Sequence, residues 1–343
     1  MKPKLHVQKN NQNRQIMKKQ HRLIAVFILL CGVMSGQHLI RVNNNPGADA
    51  DYATLQAANE AASNGDTIYI ESSTSNYAGA EFSKKLVIVG PGYFLSDNDS
   101  TQAFAMEAEI TGYTYFKAGS AGSTITGCNV NALSIEVSDI VITRCKIGSI
   151  GFGSNVNNTL ITQNYLGYIG GSSNVTNTII SNNIITSYVI SFSNNTGPTQ
   201  ITNNVFTTSN QTFSVNNSSI ANNIFCHTTN PIGTGTGNTI TNNLFACPGT
   251  NANGNQYNVV MANVFVDFSG SLNYSDDAKW KLKTGSPAIG AGVSGVDCGA
   301  FGGTIPYVLS GIPKLPHIYE ASIPGTAYSD KGLACTIKVK SGK

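Results

Sequence analysis

Acids and bases are spread unevenly along this 343-residue chain, and the few that cluster set the chemistry it could do. Glu136 and Asp139 lie close in sequence to Arg144 and Lys146, and Asp97, Asp99, Glu107 and Glu109 come a little earlier. Two carboxylates and a cation in one groove could move a proton, and a carboxylate pair is what glycosidic hydrolysis needs. If the chain is an enzyme, Glu136, Asp139, Arg144 and Lys146 are the catalytic candidates. The plainer reading makes them solvated strand and turn residues, weakly paired across neighbouring coils. From residue 140 to 266 there is no Asp or Glu, and Arg144 and Lys146 are the only basic residues. That stretch offers Asn, Ser and Thr, which hydrogen-bond but hold no proton to exchange near neutral pH. Any proton transfer must draw on the early cluster.

What must position these residues is a repeat. ITGCNV at Ile125, ITRCKI at Ile142, ITQNYL at Ile161, ISNNII at Ile180, ITNNVF at Ile201, IANNIF at Ile220, ITNNLF at Ile240 and VMANVF at Val260 read in one register. Three residues after each leading aliphatic stand Cys128, Cys145, Asn164, Asn183, Asn204, Asn223, Asn243 and Asn263. Their spacing is 17, 19, 19, 21, 19, 20 and 20 residues. A fixed period with aliphatic anchors marks a solenoid. Helical-hairpin repeats need roughly 33 residues, so two helices do not fit. Short β-branched runs separated by Asn, Gly, Ser and Thr fill each period, and these are strand and turn signals. The fold expected is all-β: a parallel β-helix of about 20 residues per coil, stacked at the ~4.8 Å interstrand distance.

The Asn column has a physical reason. A polar side chain buried at a turn needs partners, and identical amides stacked at strand spacing supply them to one another. Asn164 to Asn263 are therefore expected to point inward as a structural ladder, with Phe206, Phe225, Phe245 and Phe265 stacked two residues further on. Cys128 and Cys145 continue the ladder as buried thiols or, at strand spacing, as a disulfide; Cys226 and Cys247 are the other candidate pair. Neither a CxxC nor a His/Cys cluster with zinc spacing is present, so no metal and no cofactor is expected. His227 and His317 read as surface residues. Tyr113, Tyr115, Tyr165 and Tyr168 fall partly outside the core register and are the candidate sugar-stacking residues.

Three segments carry a resemblance: the ladder itself, DYATLQAANEAASNGDTIYIESSTSNYAG from Asp51, and GSPAIGAGVSGVDCGAFGG from Gly285 followed by PYVLSGIPKLPHIY. Together they resemble the right-handed parallel β-helices of the pectate-lyase-like superfamily, in particular secreted bacterial members without assigned activity. The resemblance covers roughly residues 38 to 343. It implies a right-handed coil with a capping helix over Ala53 to Ser63. It also raises a carbohydrate-active enzyme, a lyase or hydrolase, as the alternative to a binding protein. Lyases of this fold generally use acidic residues for calcium and an Arg or Lys as base, and residues 147 to 266 can supply neither.

The first 36 residues are a different object. Lys2, Lys4, Lys9, Arg14, Lys18, Lys19 and Arg22 precede the apolar run Leu23 to Leu30, with no acid among them. A basic region, a short apolar region and small residues at Ser35 and Gly36 describe a secretory signal peptide. The expected division is thus 1–36 export signal, 37–303 β-helix and 304–343 a strand-bearing tail packed on it. All the positive excess lies in the leader: the full chain is +3, and removing its seven basic residues leaves 14 basic against 18 acidic. A basic footprint for nucleic acid is absent, and membrane contact is expected only through the signal. The function expected is a secreted or cell-surface scaffold, without catalysis, that binds a polysaccharide or a cell-surface protein along its polar face.

Overall fold

The computed structural model describes residues 37–187, 190–192, 197–208, 214–232, 235–326 and 332–341. The expected signal peptide lies outside the described residues. From Leu39 to Phe245 the chain is a parallel β-solenoid. One ten-stranded sheet begins at Leu39–Val42 and ends at Thr239–Thr241, and an eleven-stranded sheet ends at Leu244–Phe245. The pairings in both are parallel, and successive coils stack strand on strand; two coils each give the second sheet a pair of short strands. The pair Pro316–Ser322 and Thr336–Ser341 forms a separate antiparallel two-stranded sheet.

Register puts like residues on like. In the first sheet Ile68, Ile88, Ile125, Ile142, Ile161, Ile180, Ile201 and Ile220 form one fully buried column. Opposite it, Val130, Ile147, Leu166, Ile185, Phe206, Phe225 and Phe245 form another. The rings of Phe206, Phe225 and Phe245 stack with centroids 4.6 and 4.8 Å apart, which is strand spacing. The next ring is Tyr257, 4.6 Å on, and not Phe265. Phe265 packs edge-on against Trp280 in a second core outside the coil.

The first coil is capped as its sequence predicts. The helix Leu55–Ala61 starts at Thr54, whose hydroxyl accepts from the Ala57 N–H at 3.2 Å. It lays Leu55 and Ala58, with Ala62 beyond its end, on the core. Lys84 Nζ donates to the carbonyls of Asn59, Glu60 and Ala62, which satisfies the helix C-terminus.

The parallel strands stop well short of residue 303. After Phe245 the chain turns through short 3-10 segments at Met261–Asn263, Ala278–Trp280, Val293–Gly295 and Leu309–Gly311. It then returns along the outside of the stack. The returning segment, 291–313, covers Ile184, Val205, Ile224 and Leu244, outward-facing residues that are fully buried. At Gly299, with φ +86°, a Cβ would stand 2.6 Å from Ile224 Cδ1, so only glycine lets the strap lie this close.

The strap is held by the residue immediately before each ladder position. Arg144, Gln163, Asn182, Asn203, Asn222 and Asn242 all take left-handed backbone, φ 54–60°. Their side chains point outward to the strap in reverse sequence order. Asn242 Nδ2 donates to Ala291 O, Asn222 Oδ1 accepts from the Val293 N–H, and Asn203 Nδ2 donates to Asp297 O. Asn182 Nδ2 donates to Ala300 O and Gly302 O, Gln163 Nε2 to Pro306 O, and Arg144 Nη1 to Ile312 O. One coil earlier the position is Gly127, and Pro313 fills the space a side chain would take.

Asp277 locks the far end of this layer. Fully buried, its carboxylate accepts from Ser275 Oγ at 2.7 Å, Asn98 Nδ2 at 3.0 Å and the Ser310 N–H at 2.8 Å. Tyr307 Oη donates to it at 3.3 Å and shares a 2.6 Å bond with Tyr93 Oη. Three distant parts of the chain are joined there by hydrogen bonds rather than by an ion pair.

Candidate binding face

The four catalytic candidates do not converge. Glu136 and Asp139 lie exposed in the turn before the strand Val141–Thr143, whereas Arg144 and Lys146 follow that strand at the opposite corner of the coil. Asp139 has φ +65° and accepts from Asn158 Nδ2 at 3.0 Å, so it starts an exposed turn row. Arg144 is buried, 3% exposed, and its Nε donates to Gln163 Oε1 at 3.1 Å. Burial lowers its pKa from the usual arginine value, and the structure gives it the job of holding the strap. Lys146 sets its ammonium 4.8 Å from the Phe94 ring. Of the earlier acids, Glu107 accepts from the Phe94 N–H at 2.6 Å and Asn129 Nδ2 at 2.7 Å, fixing the loop at 91–101.

The ladder is inward and continuous. Each Asn side-chain oxygen accepts both the backbone N–H and the Nδ2 of the ladder residue one coil earlier: Asn183 serves Asn164, Asn204 serves Asn183, Asn223 serves Asn204 and Asn243 serves Asn223. These bonds are 2.9–3.0 Å, and the four residues are fully buried. Asn164 Oδ1 accepts from the Cys145 N–H at 2.9 Å, which joins the cysteines to the column. The last member differs from expectation. Asn255, not Asn263, accepts from Asn243, while Asn263 sits exposed at the end of a 3-10 turn. The final coil is only 12 residues from ladder Asn to ladder Asn, and Asn255-Gln256-Tyr257 carries the pattern that Asn263-Val264-Phe265 was expected to carry.

Cys128, Cys145, Cys226, Cys247, Cys298 and Cys335 are all thiols, and only Cys335 is exposed. Burial pushes the Cys128 thiol well up, with Cys145 as a further cause. His227 is not a surface residue: it is 2% exposed, 6.1 Å from the Phe225 ring, and its Nδ1 has no hydrogen-bond partner among the described residues. Burial lowers its pKa to about 4. Among the described residues no group of three or more His, Cys, Asp or Glu could hold a metal ion.

The tyrosines divide. Tyr165 is drawn into the second core, edge-on to Phe94 at 5.1 Å. Desolvation, and then the charges of Asp276 and Asp277, push its hydroxyl pKa up, so it stays a neutral phenol. Tyr113 is 62% exposed and stacks on Tyr115 at 5.8 Å. Along the sheet, Tyr113 is in register with Ala132, Ala132 with Ser149, and Ser149 with Tyr168. The adjoining row runs Tyr115, Ser134, Gly151, Gly170. Tyrosines thus stand at the two ends of a floor of small residues. Three strand spacings separate them, about 14 Å. Lys117 lies 4.9 Å from the Tyr115 ring and pairs with Glu81 at 3.1 Å beside it.

One usable signal for the outer layer lies in the repeat itself. Ile184, Val205, Ile224 and Leu244 follow the ladder Asn directly and precede a core residue. Two adjacent apolar residues on a strand mean that both faces are covered.

Comparison with protein-family models and with curated proteins found no match for this chain. Its class is set by the fold: a parallel β-solenoid closed laterally by its own C-terminal strap.

Proposed function

We propose that this protein is an exported, non-catalytic β-solenoid that binds a polysaccharide on the face bounded by Tyr113, Tyr115 and Tyr168. The observation that carries the reading is the exposed Tyr113, stacked on the half-buried Tyr115 and in register with Tyr168 across Ala132 and Ser149. Sugar rings present apolar C–H faces to aromatic rings and hydroxyls to Ser134 and Ser149, and a small-residue floor lets a chain lie flat. Catalysis is disfavoured because the acids and the cation stand at opposite corners of the coil. Export rests on the basic leader and its apolar run. Placement among the pectate-lyase-like right-handed β-helices rests on the ladder and the end motifs. A cell-surface protein is the other partner that such a neutral face suits.

The test is a glycan array with the purified chain, repeated with Tyr113→Ala and Tyr168→Ala. Each variant should weaken the best glycan roughly tenfold, about 1.4 kcal/mol, with thermal stability kept. Tyr165→Phe should change nothing. Depolymerisation that disappears in Glu136→Gln or Asp139→Asn would replace this reading with the enzyme.

A further inference from the structure

A cavity lined by none of the three tyrosines of that face opens where separate parts of the chain meet. It has a volume of about 830 Å³ and lies between the loop Asp97 to Thr101, the segment Asn273 to Lys281, the strap end Val308 to Ile312, and the hairpin residues His317 and Lys340. Charges of both signs share its wall: Asp97 and Asp99, Lys281 and Lys340.

These charges do not neutralise one another. The ion pairs among the described residues are Arg41–Glu71, Lys117–Glu81, Lys279–Asp276 and Lys338–Glu320, and none uses a cavity residue. Among the described residues the Asp97 carboxylate accepts only from Ser96 Oγ, and Lys340 Nζ donates to Ser100 O. The side chains of Asp99 and Lys281 have no hydrogen-bonding partner among the described residues. His317 adds an acceptor. Its Nδ1 lies 3.2 Å from Leu315 O, and because a carbonyl only accepts, Nδ1 carries the proton. In the neutral ring that leaves Nε2 with a lone pair, shielded from water and without a donor among the described residues. Val308, Leu309 and Ile312 make one wall apolar.

Charge decides what such a cavity takes. A simple anion meets Asp97 and Asp99, a simple cation meets Lys281 and Lys340, and a neutral polyol leaves all four charges unanswered. A ligand with an ammonium, a carboxylate and an apolar body answers each wall. We infer that this cavity binds an amphoteric small molecule of the amino-acid or dipeptide class. Its carboxylate faces the lysines, its ammonium faces the aspartates, its apolar side chain lies on Leu309 and Ile312, and an N–H reaches His317 Nε2. The site is independent of the glycan face.

The test is isothermal titration of the full chain with the dipeptide alanyl-leucine, its N-acetyl form, its C-terminal amide, and glucose. The free dipeptide should bind, and each blocked form should bind at least about tenfold more weakly because it lacks one charge. Asp99→Asn and Lys281→Met should reproduce those losses with an unchanged thermal midpoint, and Tyr113→Ala should leave dipeptide binding intact. Absence of dipeptide binding at about 10 mM, well above a millimolar Kd, overturns the inference. So does equal binding of free and blocked forms, which would reduce the site to its apolar wall. If a variant fails to fold, the blocked dipeptides on the unaltered chain still decide.

Discussion

Neighbouring residues in the same Asn-Asn pairs have opposite tasks. In Asn182-Asn183, Asn203-Asn204, Asn222-Asn223 and Asn242-Asn243 the second residue points inward and the first outward. The inner column is satisfied by copies of itself, one coil away. The outer row is satisfied by a segment that resembles nothing else in the chain and lies 49 to 168 residues further on. The contrast separates two kinds of stability. The inner column is built as coils accumulate, since each needs only its neighbour. The outer row has bonds of its own, Arg144 to Gln163 and Asn222 to Asn203, but stays without its strap partners until the chain end returns.

The largest effect should come from breaking the inner column. Asn204 makes bonds in both directions: its Nδ2 reaches Asn223 Oδ1 and Ile180 O, and its Oδ1 takes two donors from Asn183. Asn204→Leu strands those donors in a dry core, where each unpaired group costs about 1–3 kcal/mol. A loss of about 3 kcal/mol is expected in denaturant unfolding. Asn131→Leu, on the exposed outer face of the second sheet, should cost under about 0.5 kcal/mol. If the two melt alike, the column does not hold the coils together.

His227 sharpens the contrast as an interior polar group with no copy to bond. Its pKa is about 4 in the folded chain and about 6.5 unfolded. Above pH 6.5 it is neutral in both states and contributes nothing to the pH dependence. Between 6.5 and 4 the unfolded state takes the proton and the native state does not, so stability falls with pH. The drop from pH 7 to pH 5 should be about 2 kcal/mol smaller in His227→Gln, because that side chain cannot titrate. Carboxylates titrate equally in both proteins and cancel. Equal pH slopes would mean that the imidazole reaches water.

The two regions also differ in how far they could be read from sequence. The inner column was legible because each Asn meets an Asn at a fixed interval, and a pattern satisfied by itself shows itself. It misled only at the last coil, where the short connection from Asn243 brings Asn255 into place before Asn263. The outer row was not legible, since residues 291–313 carry no period and their bonds to it use backbone carbonyls and the Val293 N–H, groups that carry no sequence signature. For the same reason Arg144 read as a candidate base. An arginine in a repeat otherwise poor in charge invites a catalytic reading, and the carbonyl of Ile312 that it holds is invisible in sequence. The tyrosines split for a related cause: Tyr165 is covered by Phe94 from a loop outside the repeat, while Tyr113 is left open.

The smallest effect comes from breaking the outer row, and it tests whether the strap moves as a unit. Asn182 donates to Ala300 O at 3.0 Å and Gly302 O at 2.7 Å from left-handed backbone, φ +55°. Asn182→Gly keeps that backbone without strain and removes only the side chain. The loss should be about 1 kcal/mol, since the Ala300 carbonyl keeps its bond from the Tyr307 N–H. Global unfolding would barely register it. Hydrogen exchange should: amides such as Gly299 and Tyr307 exchange by local opening, and a strap loosened at its middle opens more often. The Ile184 and Val205 amides, bonded within the second sheet, should keep their protection. Arg144→Gly, at φ +54°, should act in the same way at the other end, speeding exchange near Gly311. Acceleration confined to the strap would establish two separable layers. Acceleration that spreads equally into the coils would mean that the strap and the column unfold together, and the distinction between the inner and outer asparagines would be one of geometry and not of stability.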